Sequence, residues 1–123
     1  MFSLLLCGGV IMIFSLVLNS EELLGPLGGD KLNHFIAYAV FTILLVWTLS
    51  TRQQGVTFYI LIAAWAISFS FGLLLEAMQP LITAGRHWEN ADLLANGLGA
   101  SVPCLFLSAV CMHHNSIDLQ KKL

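Results

Sequence analysis

The sequence predicts an all-α integral membrane protein, a four-helix bundle, and three observations carry that expectation. Hydrophobic residues make up 58% of the 123 and charged residues only 10%, which is too little polar surface to cover a water-soluble globule. Ionisable side chains are also unevenly spread: residues 1–20 have no Asp, Glu, Lys, Arg or His, 32–51 have only His34, and 53–75 and 93–112 have none. These runs are continuously apolar and do not alternate, which suits helices that satisfy their own backbone groups in lipid and argues against the strands of a barrel. A hydrocarbon core about 30 Å thick takes roughly 20 residues at the helical rise, so each run is one crossing.

The first run, 1–20, is expected to remain as a membrane helix. It carries no Lys or Arg near its start, and no small-x-small cleavage site precedes Glu21 and Glu22, so a signal peptide is the weaker reading. A loop over 19–31 follows, in which Gly25, Pro26, Gly28 and Gly29 break any helix. The second crossing ends in a tight turn over 50–55 that carries Arg52. The third ends in a loop over 80–91, where Pro80 and Gly85 are read as stops. The fourth ends near Met112, so residues 1–112 form one domain and 113–123 a polar tail with Lys121 and Lys122.

There is no repeat, no low-complexity tract and no basic patch of the kind a nucleic acid requires. Cys7, Cys104 and Cys111 all fall in apolar runs and read as small buried hydrophobes; an odd count with no CxxC pair is not a disulfide framework. Basic residues set the orientation. Arg52, Lys121 and Lys122 share one side, and Lys31 and Arg86 the other, which favours both termini in the cytoplasm and the other ends facing out.

Helical spacing makes the reading specific. Asp30, His34, Tyr38 and Thr42 follow at intervals of four, as do Ser68, Gly72 and Glu76 with Gln79 beyond, while Asp92, Asn96, Gly99 and Pro103 form a third stripe. Each stripe is most polar at the end meeting the first or third loop, so antiparallel packing brings the acids, the imidazole and the amides to one depth. Gly72, Gly99 and Ala100 would let the backbones approach. Ionisable groups in a bilayer are costly unless paired or hydrated, so this gathering is a candidate site.

Each residue also has a structural reading. Asp30 and Asp92 suit N-terminal capping at least as well. Asn96 suits an interhelical hydrogen bond. Glu76 stands a turn inside its span between Leu75 and Ala77, and needs a partner, for which His34, Lys31 and Arg86 are candidates. Lys31 and Arg86 serve equally as internal counter-ions or as ligands for an anionic headgroup. Trp47, Trp65 and Trp88 are expected at the interface or in lipid, and His87, His113 and His114 in solvent or headgroups.

Three blocks, Asp30-Lys31-x-x-His34-Phe35-x-x-Tyr38, Glu76-x-x-Gln79, and Arg86 followed by Asp92-x-x-x-Asn96-x-x-Gly99, resemble the signature of VanZ-like membrane proteins and occur in that family's order. The resemblance covers residues 30 to about 100. It implies a bacterial cytoplasmic-membrane protein whose polar site includes Asp30, Lys31, His34, Glu76, Gln79, Arg86, Asp92 and Asn96. The family's founding member is associated with low-level resistance to the glycopeptide antibiotic teicoplanin, whereas most members lie outside resistance clusters. Where members continue into a further glycine, this chain has Ser101, Val102 and Pro103, a departure that suggests a bend in the last helix.

Two functions follow. In the first, the site binds an amphipathic envelope ligand: a lipid-linked precursor, a phospholipid or a glycopeptide. In the second, it is catalytic, with Glu76 or His34 as general base and Arg86 or Lys31 stabilising negative charge. No GxSxG elbow or HExxH helix is present, so hydrolysis would need an activated water. No cofactor is expected. A metal on His34, Glu76 and Asp92 is chemically reasonable but ranks lower, and an ion pathway is disfavoured because the stripes fade toward Leu44, Leu45 and Leu61.

Overall fold

The computed structural model describes residues 8–9, 29–53, 55–82 and 89–121. These form three long helices: α1 (Gly29–Gln53), α2 (Phe58–Ile82) and α3 (Asn90–Lys121). Each contains a segment long and apolar enough to cross a membrane: Lys31–Thr51, Phe58–Leu81 and Asn90–His113. Of the expected first helix, only Gly8 and Gly9 are among the described residues, both helical; a Cβ on Gly8 would lie 3.8 Å from Phe41.

The boundaries differ from the sequence expectation in instructive ways. Helix α1 already begins at Gly29 and reaches Gln53, taking in residues read as loop at both ends. Helix α2 continues through Pro80 to Ile82. A proline so close to a helix end forgoes only the bond that the Glu76 carbonyl would accept, so it does not stop the chain there. Helix α3 runs as one element through Pro103 to Lys121, where a tail was expected after Met112. At 32 residues it is about 48 Å long, well beyond the hydrocarbon thickness, so its polar end continues as helix past the apolar segment.

Local chemistry explains the turn between α1 and α2. The Gly55 amide donates to the Ser50 carbonyl at 3.1 Å, and Gly55 has φ 153, a conformation that side-chain-bearing residues rarely adopt. Thr57 then caps α2: its Oγ1 accepts from the Ile60 amide at 3.4 Å and its carbonyl from Leu61 at 3.1 Å.

The three helices all pack on one another, the pair α1 and α3 most extensively. Gly99 explains that pairing. A Cβ there would run into the Phe35 carbonyl oxygen and lie 3.0 Å from the carbonyl carbon, so only glycine permits the two backbones to meet. Between α2 and α3, the Trp65 indole donates to Ser101 Oγ at 2.9 Å, and the Trp65 ring stacks on Phe69 at 5.3 Å. Trp65 therefore joins helices as well as facing outward, a role beyond the lipid contact expected for it.

The polarity of the molecule is inverted. Leu94, Leu105 and Phe106 are each 68% exposed, whereas Thr42, Ser68, Glu76, Gln79 and Asn96 are at most 2% exposed. Water would penalise both halves of that arrangement, and lipid rewards the outer one.

Candidate functional site

All three polar stripes turn inward. His34, Tyr38 and Thr42 of α1, Ser68, Gly72, Glu76 and Gln79 of α2, and Asp92, Asn96, Gly99 and Pro103 of α3 are all buried. The start of α1, the end of α2 and the start of α3 lie together, as the contacts across them require. Lys31 Nζ is 2.9 Å from Glu89 Oε1 and 3.8 Å from Asp92 Oδ1, and the Glu89 amide donates to Glu76 Oε1 at 2.9 Å.

Glycines build the interior of this well. Because α1 and α3 touch at Phe35 and Gly99, His34 and Asn96 come within reach, and His34 Nδ1 lies 2.9 Å from Asn96 Oδ1 in a buried hydrogen bond. On α2, a Cβ at Gly72 would lie 3.1 Å from both the Tyr38 ring and Asn96 Nδ2. The missing side chain therefore makes the space that the tyrosine and the amide occupy. One turn deeper, the Thr42 hydroxyl bridges the Tyr38 carbonyl and Ser68 Oγ, each 2.8 Å away.

Below Thr42 and Ser68 the interior becomes apolar, with Leu45, Val46, Ile60, Leu61 and Ala64 buried together. The buried interior is thus polar from the mouth to about the Thr42 level and apolar beneath it.

Glu76 occupies the decisive position. Its Oε1 takes the amide of Glu89, the residue that immediately precedes α3 and whose carbonyl accepts from Asp92 at 3.1 Å. A carboxylate from a neighbouring helix thus does what an acid in the first turn usually does for its own helix, binding an N-terminal amide where the helix dipole favours negative charge. Asp92, in the first turn of α3, combines that same dipole position with the ion pair to Lys31.

Lys31 was a candidate partner for Glu76. The structure pairs it with Glu89 and Asp92 instead, at the exposed mouth. Glu89 is a site residue that the stripe pattern missed: it lies before α3 begins, off any helical periodicity, and only its place three residues before Asp92 hinted at it. Thr42 and Ser68 belonged to the stripes and prove to be the floor of the well. Asp30 is the second residue of α1; its side chain, Arg86, Trp88 and His87 lie outside the described residues.

Two polar atoms of the well, the Tyr38 hydroxyl and Glu76 Oε2, are buried without a hydrogen-bond partner among the described residues. Leaving such groups unsatisfied costs on the order of 1–3 kcal/mol each, more for a charge. Among the described residues, no three His, Cys, Asp or Glu side chains converge to hold a metal ion, and His34, Glu76 and Asp92 do not form a ligand set. An open cleft of about 420 Å³ lies beside the well, formed by Phe69 of α2 and Asn90, Leu93, Leu94, Gly97 and Leu98 of α3. It shares with the well the first turns of α3, where Asp92 and Asn96 face in and Leu94 and Leu98 face out.

The chain matches no family model, no curated protein and no solved structure.

Proposed function

We propose that the protein binds an amphipathic lipid of the cell envelope, the headgroup entering the polar well and an acyl or prenyl chain lying along the cleft beside α3. One observation carries this: Tyr38 and Glu76 are each 1% exposed, yet each presents a polar atom that nothing among the described residues satisfies. A fully paired cluster would be explained by folding alone, whereas unfilled capacity in a polar well beneath an apolar exterior calls for a polar group brought by an amphiphile. The apolar, open cleft supports the second half of the ligand.

Finer assignments accompany the proposal. The three blocks of sequence that resemble VanZ-like proteins supply Lys31, His34, Tyr38, Glu76, Gln79, Asp92 and Asn96, all of which lie in or at the well, and this supports reading the chain as VanZ-like. We accordingly place it in a bacterial cytoplasmic membrane with the well facing outward and both termini cytoplasmic, and read residues 1–20 as a fourth helix completing the bundle. A lipid-linked precursor, a phospholipid and a lipophilic glycopeptide are the candidate ligand classes. A catalytic role is the second reading, favoured by the same free Glu76 Oε2, which is placed to act as a base on a bound headgroup.

The test is lipid mass spectrometry of the protein purified from its native membrane. Wild type should retain a defined amphiphile, and Glu76→Gln should reduce it about tenfold, the loss expected of one charge-assisted hydrogen bond. The glutamine keeps the oxygen that accepts from Glu89, so its abundance in the membrane should stay near normal. Equal retention by the variant would reject binding at the well; conversion of the lipid to a new product would favour the catalytic reading.

A further inference from the structure

The unused groups of the well also constrain the headgroup. Building on the amphiphile-binding proposal, we infer that the well takes a primary ammonium, such as that of an ethanolamine headgroup, seated on Glu76 Oε2 and the Tyr38 hydroxyl oxygen. Both atoms are buried, and they leave each other unbonded although Tyr38 rests on Gly72, one turn from Glu76. A group that bridges them satisfies both.

Charge selects which group. The Lys31 ammonium is held at the mouth by Glu89 and Asp92, and its side chain is 45% exposed. Glu76 lies deeper, and its one hydrogen bond among the described residues comes from a neutral backbone amide. Within the described site there are three acids, Glu76, Glu89 and Asp92, against Lys31. A phosphate at the bottom of such a well would set two negative charges together in a poorly hydrated site, whereas an ammonium supplies the missing counter-charge and N–H donors to both oxygens. Lys31, at the mouth, is then placed on the side from which the phosphate of the same zwitterionic headgroup would approach.

Native mass spectrometry of the full chain in detergent tests this, with dioleoyl phosphatidylethanolamine, its N-acetyl derivative and dioleoyl phosphatidylglycerol as probes. The expected result is about a tenfold preference for phosphatidylethanolamine over the other two, the discrimination given by one charged hydrogen-bonded contact. Glu76→Gln and Tyr38→Phe should each erase most of that preference; Tyr38→Phe removes only a hydroxyl that has no hydrogen-bond partner among the described residues, so it also covers the case in which the Glu76 variant misfolds. Free ethanolamine forms a further arm: displacement of the lipid would assign the recognised group to any primary amine, and persistence of the adduct to the lipid itself. Equal adducts of phosphatidylethanolamine and its N-acetyl form would overturn the inference. Glu76-dependent preference for phosphatidylglycerol would overturn it while sparing amphiphile binding, and a failure to retain any of the three above an unrelated membrane protein would overturn both.

Discussion

Glu76 shows how one side chain acquires two duties. Its Oε1 anchors the start of α3 and its Oε2 is left for something else, so substitutions at this position separate architecture from function. Glu76→Leu removes the acceptor of the Glu89 amide as well as the charge, and should lower the amount of folded protein, whereas Glu76→Gln should not. His34 and Asn96 present a simpler case, because their hydrogen bond joins α1 to α3 directly. In a double-mutant cycle with His34→Ala and Asn96→Ala, the coupling should be about 0.6–1.7 kcal/mol, the range found for hydrogen bonds between membrane helices. Unfolding in mixed detergent micelles measures it, and additive effects would mean that the contact contributes nothing. The inward direction of these residues was legible from intervals of three and four in the sequence. The partner of Lys31 was not, because a salt bridge to a residue preceding a helix obeys no periodicity.

At the scale of the element, the glycines decide how closely the helices pack. Gly99 faces backbone atoms of Phe35, which have nowhere to go, whereas Gly97 faces the end of the Phe69 ring at 3.3 Å, a side chain that can give way. Gly99→Ala should therefore cost about 1–3 kcal/mol or more through forced separation of α1 and α3, and should also loosen the His34 to Asn96 contact. Gly97→Ala should be close to neutral. Comparing the two by thermal aggregation in detergent checks the contrast, and equal stability would remove Gly99 from its role. Helix existence was readable from continuous apolar runs, while the ends were misjudged. Pro80 and the glycine at 29 carry strong breaker signals in isolation, but near a helix terminus few hydrogen bonds are at stake and tertiary packing prevails.

For the molecule as a whole, polar interior and apolar exterior follow from a single requirement: three helices in lipid must hide their polar stripes from the hydrocarbon, and the only shelter is one another. Composition and spacing made that much legible. What they left open is how deep the well goes and which atoms remain unsatisfied in it, since both depend on the glycine contacts that fix the distance between helices. The central claim is that the start of α1 and the approach to α3 meet at one membrane face, over the end of α2. Cross-linking of a Lys31→Cys, Glu89→Cys double variant with a short bis-maleimide in intact membranes, with Cys7, Cys104 and Cys111 replaced by alanine and the products read by peptide mass spectrometry, tests it most directly. Rapid intramolecular bridging by the reagent is expected for that pair, whose native side chains meet at their tips, and none for Lys31→Cys with Thr57→Cys, at the far end of α2. Cross-linking of the second pair in place of the first would contradict it.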